Sequence, residues 1–159
     1  LRADQPILTY DDGKRCDMDE FGMYEQMAGE WTGTITIDSN QAPAKMKVIK
    51  ALDGCAVMTF LDYVIEEKVY KSFSLKTFNT FISKYEEQIL TNTPSEPFKI
   101  YYGTAVDNKI SNNLFDYSTN SPGTEKIEWT FQPDKILMRI LTQKKDKWMV
   151  IKEAEFERM

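Results

Sequence analysis

Hydrophobic and polar residues alternate along most of the chain, beginning at Trp31. Trp31, Gly33, Ile35 and Ile37 fall on one side of an extended backbone, whereas the threonines between them fall on the other. A tryptophan bracketed by glycines at the start of this segment predicts a first strand within residues 27–38. Similar alternating segments follow at intervals of about ten residues, which is typical of an all-β sandwich or barrel.

Turn-forming residues separate these segments and set the predicted strand limits. The main signals are Asp38-Ser39-Asn40, Asp53-Gly54, Phe78-Asn79 and Pro133-Asp134. Pro43 is expected just before the second strand, because a missing N–H group does least harm there. The strands predicted after the first are 46–52, 55–66, 68–77, 80–90, 98–105, 109–119, 125–131, 135–142 and 147–158.

The first part of the chain has a different pattern. Residues 1–19 show no sustained period and predict an arm lying over the body of the domain. Phe21, Tyr24 and Met27 share one face of a short helix predicted over 20–28, which ends at Gly29. We therefore expect an N-terminal arm and helix over 1–28 and a β-domain over 29–159.

The connections between the predicted strands decide between a sandwich and a barrel. All of them are short, which favours an up-and-down meander over Greek-key crossings. A meander of this length loses its exposed edges most easily by closing on itself. The predicted fold is a single closed up-and-down antiparallel barrel of about ten strands with a short N-terminal helix and arm.

Composition excludes several classes of partner. The chain has 159 residues and a net charge of −5, which argues against nucleic acid because phosphate binding requires a basic surface. No stretch has the apolar length that a transmembrane helix needs. The sequence begins at Leu1, as it would after removal of an export signal or after trimming, so export is one expectation and the compartment stays open.

Cysteine and histidine content limits metal chemistry. The two cysteines, Cys16 and Cys55, have no metal-ligand spacing, and the chain has no histidine. We expect neither a metal nor a cofactor. The two thiols could form a disulfide that ties the arm to the third strand, or remain separate, and the sequence leaves both alternatives open.

Both ends of the β-domain resemble those of a known superfamily. The segment GEWTG at 29–33 resembles the G-x-W entry of the calycins, which include lipocalins and fatty-acid-binding proteins. The segment WMVIKEAEFER at 148–158 is similar to the last strand of a lipocalin-like family of unknown function (the DUF1579 type). The resemblance implies that an arginine packs across Trp31 and bonds the adjoining helical turn. Arg158 is the matching residue, and Arg139 is a lesser candidate.

The resemblance has limits that bear on ligands. Nitrobindin-like members of the superfamily hold haem through a histidine, which this chain lacks, so haem is not expected. The arginine and tyrosine positions that bind a carboxylate in fatty-acid-binding members find no clear match.

Alternation also predicts which side chains point into the barrel. Such side chains could line a cavity for a small apolar or amphipathic ligand, or could fill the interior completely. The leading hypothesis is a non-enzymatic, lipocalin-like binding protein. The residues expected to line the cavity are Met58, Phe60, Phe98, Ile100, Tyr102, Trp129, Phe131 and Met138.

Two other functions remain open. An isomerase or lyase would need inward acid–base groups, for which Asp62 and Glu86 are the candidates together with a tyrosine. A solid barrel could instead serve as a protein-interaction module. The strand 135–142 is apolar on both faces, so its outer face is expected to lie under the arm or to form a homodimer contact.

Overall fold

The computed structural model describes residue 16, residues 18–95 and residues 97–159, so that residues 1–15 and 17 of the arm predicted over 1–19 lie outside the described residues. The described chain holds one α-helix, α1 (Asp19–Glu25), and one 3-10 turn (Leu52–Gly54). Its ten strands are β1 (Gly29–Ile37), β2 (Asn40–Ala51), β3 (Ala56–Ile65), β4 (Lys68–Asn79), β5 (Lys84–Thr91), β6 (Phe98–Val106), β7 (Lys109–Asp116), β8 (Ser121–Gln132), β9 (Lys135–Lys144) and β10 (Lys147–Arg158).

The strands form a closed barrel in which each strand pairs antiparallel with its neighbours in the chain. The ring closes between β1 and β10, in a register that runs from Trp31 opposite Arg158 to Ile37 opposite Lys152. Because each of these ten strands has a partner on both sides, no edge of the described sheet is left unpaired. The predicted closed up-and-down barrel is confirmed.

Close backbone packing accompanies this closure at Gly33. Gly33 lies opposite Phe156 in the β1–β10 ladder. A Cβ atom at this position would overlap the main-chain carbonyl of Glu155. The glycine therefore lets β1 and β10 approach where the two ends of the sheet meet.

Helix α1 leads directly into the first strand. It ends at Glu25, three residues earlier than predicted, and a turn through Gln26 and Met27 connects it to β1. Phe21 contacts Phe78 edge-on, and Tyr24 contacts Tyr85 in the same manner. These contacts place the helix against the end of the barrel.

At that end, Arg158 lies over Trp31. The guanidinium carbon is 4.2 Å from the indole ring centroid, and the indole nitrogen of Trp31 donates a hydrogen bond of 2.8 Å to the carbonyl of Met27. Arg158 Nη1 and Nη2 donate to the carbonyls of Ala28 and Gln26 at 2.9 and 3.3 Å. The last strand, the first strand and the turn after α1 are thus held together by one side chain.

A disulfide joins Cys16 to Cys55, with the two Cα atoms 4.9 Å apart. It ties the segment before α1 to the turn that precedes β3. Of the two alternatives that the sequence leaves open, the structure has the bridge.

Two predictions about strand limits need correction. Pro43 lies inside β2, but pairing of β2 with β3 begins only at Ala44, so its missing N–H group faces no partner strand. The predicted turn at Phe78-Asn79 is instead part of β4, because Phe78 packs on Phe21 and Tyr85. The actual turn follows, and β5 begins at Lys84.

The closure predicts that Arg158→Lys is destabilising. Lysine loses both the stacking on Trp31 and the forked pair of hydrogen bonds, so the free energy of unfolding should fall by about 1–3 kcal/mol. Arg139→Lys is the matched control. Its half-exposed side chain pairs with Glu153 on the outer surface, and the expected loss is below about 1 kcal/mol. Urea unfolding measures both, and equal losses would contradict the closing role of Arg158.

Candidate functional site

The barrel contains a pocket of about 120 Å³ that is lined by residues from β3 to β6 and from β8 to β10, together with the segment that follows β5. Its floor is fully buried at Lys76 and Glu87, whereas Asn92 at its other end is exposed to solvent. The apolar lining consists of Leu61, Ile89, Ile127, Trp129, Met138 and Ile140. The polar lining includes Thr59, Ser72, Ser74, Tyr63, Tyr70 and Tyr101.

Large side chains fill the part of the interior beside the junction of β1 and β10. Trp31 and Ile35 from β1, Met46 from β2 and Phe156 from β10 are buried in the hydrophobic core and do not line the pocket. The barrel is therefore solid on this side and hollow on the other.

An ion pair occupies the floor of the pocket. The ammonium of Lys76 lies 2.9 Å from Oε1 of Glu87, and both side chains are buried. Lys76 also donates hydrogen bonds to the hydroxyls of Thr59, at 3.1 Å, and Ser74. Trp129 donates its indole N–H to Oε2 of Glu87 at 2.9 Å, and the Lys76 ammonium lies 4.7 Å from the Trp129 ring centroid.

These partners compensate for the burial of two charges without matching every lone pair. Burial lowers the pKa of Lys76, and the neighbouring carboxylate of Glu87 acts in the opposite direction. Oε1 of Glu87 lies 2.9 Å from the Lys76 ammonium, and Oε2 accepts from Trp129. Each oxygen of the buried carboxylate thus has one partner at the floor.

Further polar groups surround the upper part of the pocket. Lys99 and the hydroxyl of Tyr101 both donate to Oε1 of Glu125, at 2.9 and 2.5 Å. Lys152 donates to the hydroxyl of Tyr63 at 3.3 Å. Burial is the main cause that raises the pKa of Tyr63 to about 12, so this phenol stays protonated at neutral pH.

The structure brings together only some of the residues predicted to line the cavity. Trp129 and Met138 line the pocket, and Phe131 is buried in the core without lining it. The others lie on the outer face of the barrel: Met58, Phe60, Phe98, Ile100 and Tyr102. The predicted orientation of β3 and β6 was therefore wrong.

The strand pairing explains this error. Phe60 pairs with Phe73, Phe73 with Leu90, and Leu90 with Phe98, so all four lie in one row across the barrel wall. Phe60 is 40% exposed. Apolar residues occupy both faces of these strands, and hydrophobicity alone favours the wrong face.

The two residues predicted as inward acid–base groups do not point into the pocket either. Asp62 is exposed, and Glu86 points outward, where its carboxylate accepts hydrogen bonds from Asn79 and Gln88. The buried inward acid is the next residue, Glu87. Since Asp62 and Glu86 do not enter the pocket, the residues that were to support an isomerase or lyase do not form a site.

Strand β9 carries apolar residues on both faces. Ile136 and Met138 point into the barrel, and Ile140 lines the pocket. On the outer face, Arg139 lies between Leu137 and Leu141 and forms an ion pair with Glu153. A homodimer contact through this face stays a prediction, and the alternative, cover by the arm, falls on residues outside the described part of the chain.

No protein-family model matches the chain, and none of the curated proteins matches it. Across residues 16, 18–95 and 97–159, no three histidine, cysteine or acidic side chains form a group that could hold a metal ion. Within the same part of the chain, no helix has the length and apolar character needed to cross a membrane.

The ion pair at the floor of the pocket predicts that removal of one charge lowers stability more than removal of both. Lys76→Met leaves the Glu87 carboxylate buried without its counter-ion and should lower the free energy of unfolding by about 3–5 kcal/mol. Adding Glu87→Gln removes that charge and keeps an acceptor for Trp129, so the double variant should recover most of the loss.

Urea unfolding of the wild-type protein, Lys76→Met and the double variant tests this prediction. Lys135→Met serves as the control, because Lys135 pairs with Glu155 at the surface and its loss should cost less than about 1 kcal/mol. If the double variant were less stable than Lys76→Met alone, the charge on Glu87 would not be the cause.

Proposed function

We propose that this protein binds a small amphipathic molecule in the pocket of its barrel and does so without catalysing a reaction. The observation that carries the proposal is a pocket with apolar walls above a buried polar floor. Ile127, Trp129 and Met138 form part of the walls, and Lys76 and Glu87 form the floor. Sites for small molecules commonly combine such walls with a few placed polar groups.

The volume of the pocket limits the size of the ligand. A cavity of about 120 Å³ is close to the roughly 150 Å³ at which an engineered apolar cavity takes up benzene. We therefore expect one ring, or a short aliphatic chain of similar bulk, with a polar group. A longer molecule would extend through the open end near Asn92.

The charges around the pocket indicate the polarity of the ligand. Ammonium groups on Lys76, Lys99 and Lys152 lie at the pocket, against the carboxylates of Glu87 and Glu125. Each of these ammonium groups can donate hydrogen bonds but cannot accept them. A carboxylate or hydroxyl on the ligand, which can accept such bonds, is therefore favoured over an ammonium group.

The resemblance of the chain ends to calycins supports the same function. A closed barrel with Arg158 over Trp31 is consistent with a lipocalin-like protein, and we propose membership of that group on this basis. The disulfide between Cys16 and Cys55 fits an oxidising compartment, where such bridges persist.

Three compounds that share one ring test the proposal: benzoate, benzyl alcohol and benzylamine. The indole N–H signal of Trp129 should shift in NMR spectra on addition of benzoate or benzyl alcohol, whereas that of Trp31 should not. Benzylamine should bind more weakly than benzoate, because its ammonium group cannot accept hydrogen bonds from the lysines at the pocket. Native mass spectrometry of protein from its source adds a search for a co-purifying molecule.

Two neighbouring substitutions provide the matched control. Ile89→Trp should fill the pocket and abolish binding measured by calorimetry, because Ile89 lines it. Leu90→Trp should leave binding unchanged, because Leu90 lies on the outer face opposite Phe73. Equal effects of the two variants, or no shift of the Trp129 signal with any compound, would refute binding in this pocket.

A further inference from the structure

Lys76 places a primary amine at the closed end of the pocket. Its side chain is fully buried, which is uncommon for lysine. The ammonium contacts Thr59, Ser74 and Glu87, and the pocket lies directly against this residue. The side chain has no exposed surface, so a ligand in the pocket lies beside this residue and reaches the amine when one of these three partners turns aside.

We propose that Lys76 captures a small aldehyde as a Schiff base, with Glu87 as the counter-ion of the resulting iminium. The proposal rests on the proposed function, because the aldehyde occupies the same pocket. The ligand class is an aldehyde with a single ring or a short apolar chain, whose carbonyl carbon reaches the Lys76 amine while its apolar part contacts Trp129 and Ile127.

The groups around Lys76 match the needs of each step. The amine must lose a proton before it attacks, and burial favours this by lowering the pKa of Lys76. Glu87 is the adjacent group that can take the proton, since its Oε1 lies 2.9 Å away. The hydroxyls of Thr59 and Ser74, which already bond the amine, lie where a forming carbinolamine oxygen needs hydrogen bonds.

The atoms balance without an external oxidant or reductant. The nitrogen lone pair forms a bond to the carbonyl carbon, and a proton then moves from the nitrogen to the former carbonyl oxygen to give a carbinolamine. Glu87 returns to this oxygen the proton that it took from the ammonium, the carbon–oxygen bond breaks, and water leaves, so that a protonated imine and the Glu87 carboxylate remain. The iminium N–H can donate to Oε1 of Glu87, which lies 2.9 Å from the amine nitrogen in the free protein.

Reductive trapping tests the proposal. Protein is incubated with limiting benzaldehyde and cyanoborohydride, which converts the imine to a stable benzylamine, and peptide mass mapping locates the added benzyl group. Lys76 should be modified about tenfold faster than the exposed lysines, because the pocket holds the aldehyde against it. Lys135→Arg, which alters a surface ion pair, should leave the modification of Lys76 unchanged.

Two variants separate capture by Lys76 from general lysine chemistry. Lys76→Arg keeps the positive charge but removes the primary amine, so rapid addition should be lost. Ile89→Trp keeps Lys76 and fills the pocket, so it should also prevent the modification, whereas Leu90→Trp should not. Comparison of Ile89→Trp with Leu90→Trp keeps the test decisive even if arginine is not tolerated at position 76.

The outcomes distinguish this proposal from the proposed function. If benzyl alcohol shifts the Trp129 signal but benzaldehyde modifies only surface lysines, Schiff-base formation is refuted and binding in the pocket stands. If neither compound acts at the pocket, both proposals fail. Modification of Lys76 that is equally fast in Ile89→Trp would refute capture from within the pocket.

Discussion

The pairing of β1 with β10 is the constraint on which the rest of this molecule depends. Once the two strands pair, every strand has two neighbours and the sheet has a defined inside and outside. Arg158 stabilises this junction at the end of the barrel where α1 packs, because it stacks on Trp31 and bonds the turn that follows α1. The tryptophan in turn donates to Met27, so helix, first strand and last strand form one unit. Without this closure there would be no interior for the pocket, and the buried ion pair at its floor would lie on an open sheet.

Closure alone does not produce a cavity, and the size of the inward side chains decides where one forms. On the filled side the interior is occupied by large residues such as Trp31, Met46 and Phe156. On the other side the inward positions of β3 and β4 carry Thr59, Ser72 and Ser74, which are too short to reach across. Ten strands enclose more space than such side chains can fill. The hollow is therefore a result of the composition of one part of the wall, and not of the barrel as a whole.

The fold was accessible from the sequence because two signals agreed, namely alternation at regular intervals and the residues at both ends of the β-domain. The orientation of individual strands was predicted less well. Along β3 and β6, alternating apolar residues lie outside, so the rule that apolar side chains point inward gave the wrong face. Pairing geometry would have given the right one. The two-residue turn at 38–39 and the four-residue turn at 52–55 carry the inward orientation of Trp31 to Met46 and then to Leu61. The same reasoning through the turn at 66–67 places Ser72 inward and Phe73 outward. Lys76 and Glu87 could be placed inside only by following register from strand to strand.

The buried ion pair is difficult to explain by stability alone. Replacing a buried pair by well-packed apolar residues is often neutral or stabilising, because the attraction between the charges barely offsets their lost hydration. Leucine in place of Ser74, for example, would add apolar contacts and fill part of the hollow. The chain instead combines small hydroxyl residues with Lys76, Glu87 and Trp129 in an arrangement that leaves space beside a reactive amine. Such local departures from the best-packed core are expected where a protein binds or reacts. At the floor of the pocket the fold thus gives up packing and retains chemical groups that closure of the barrel does not require.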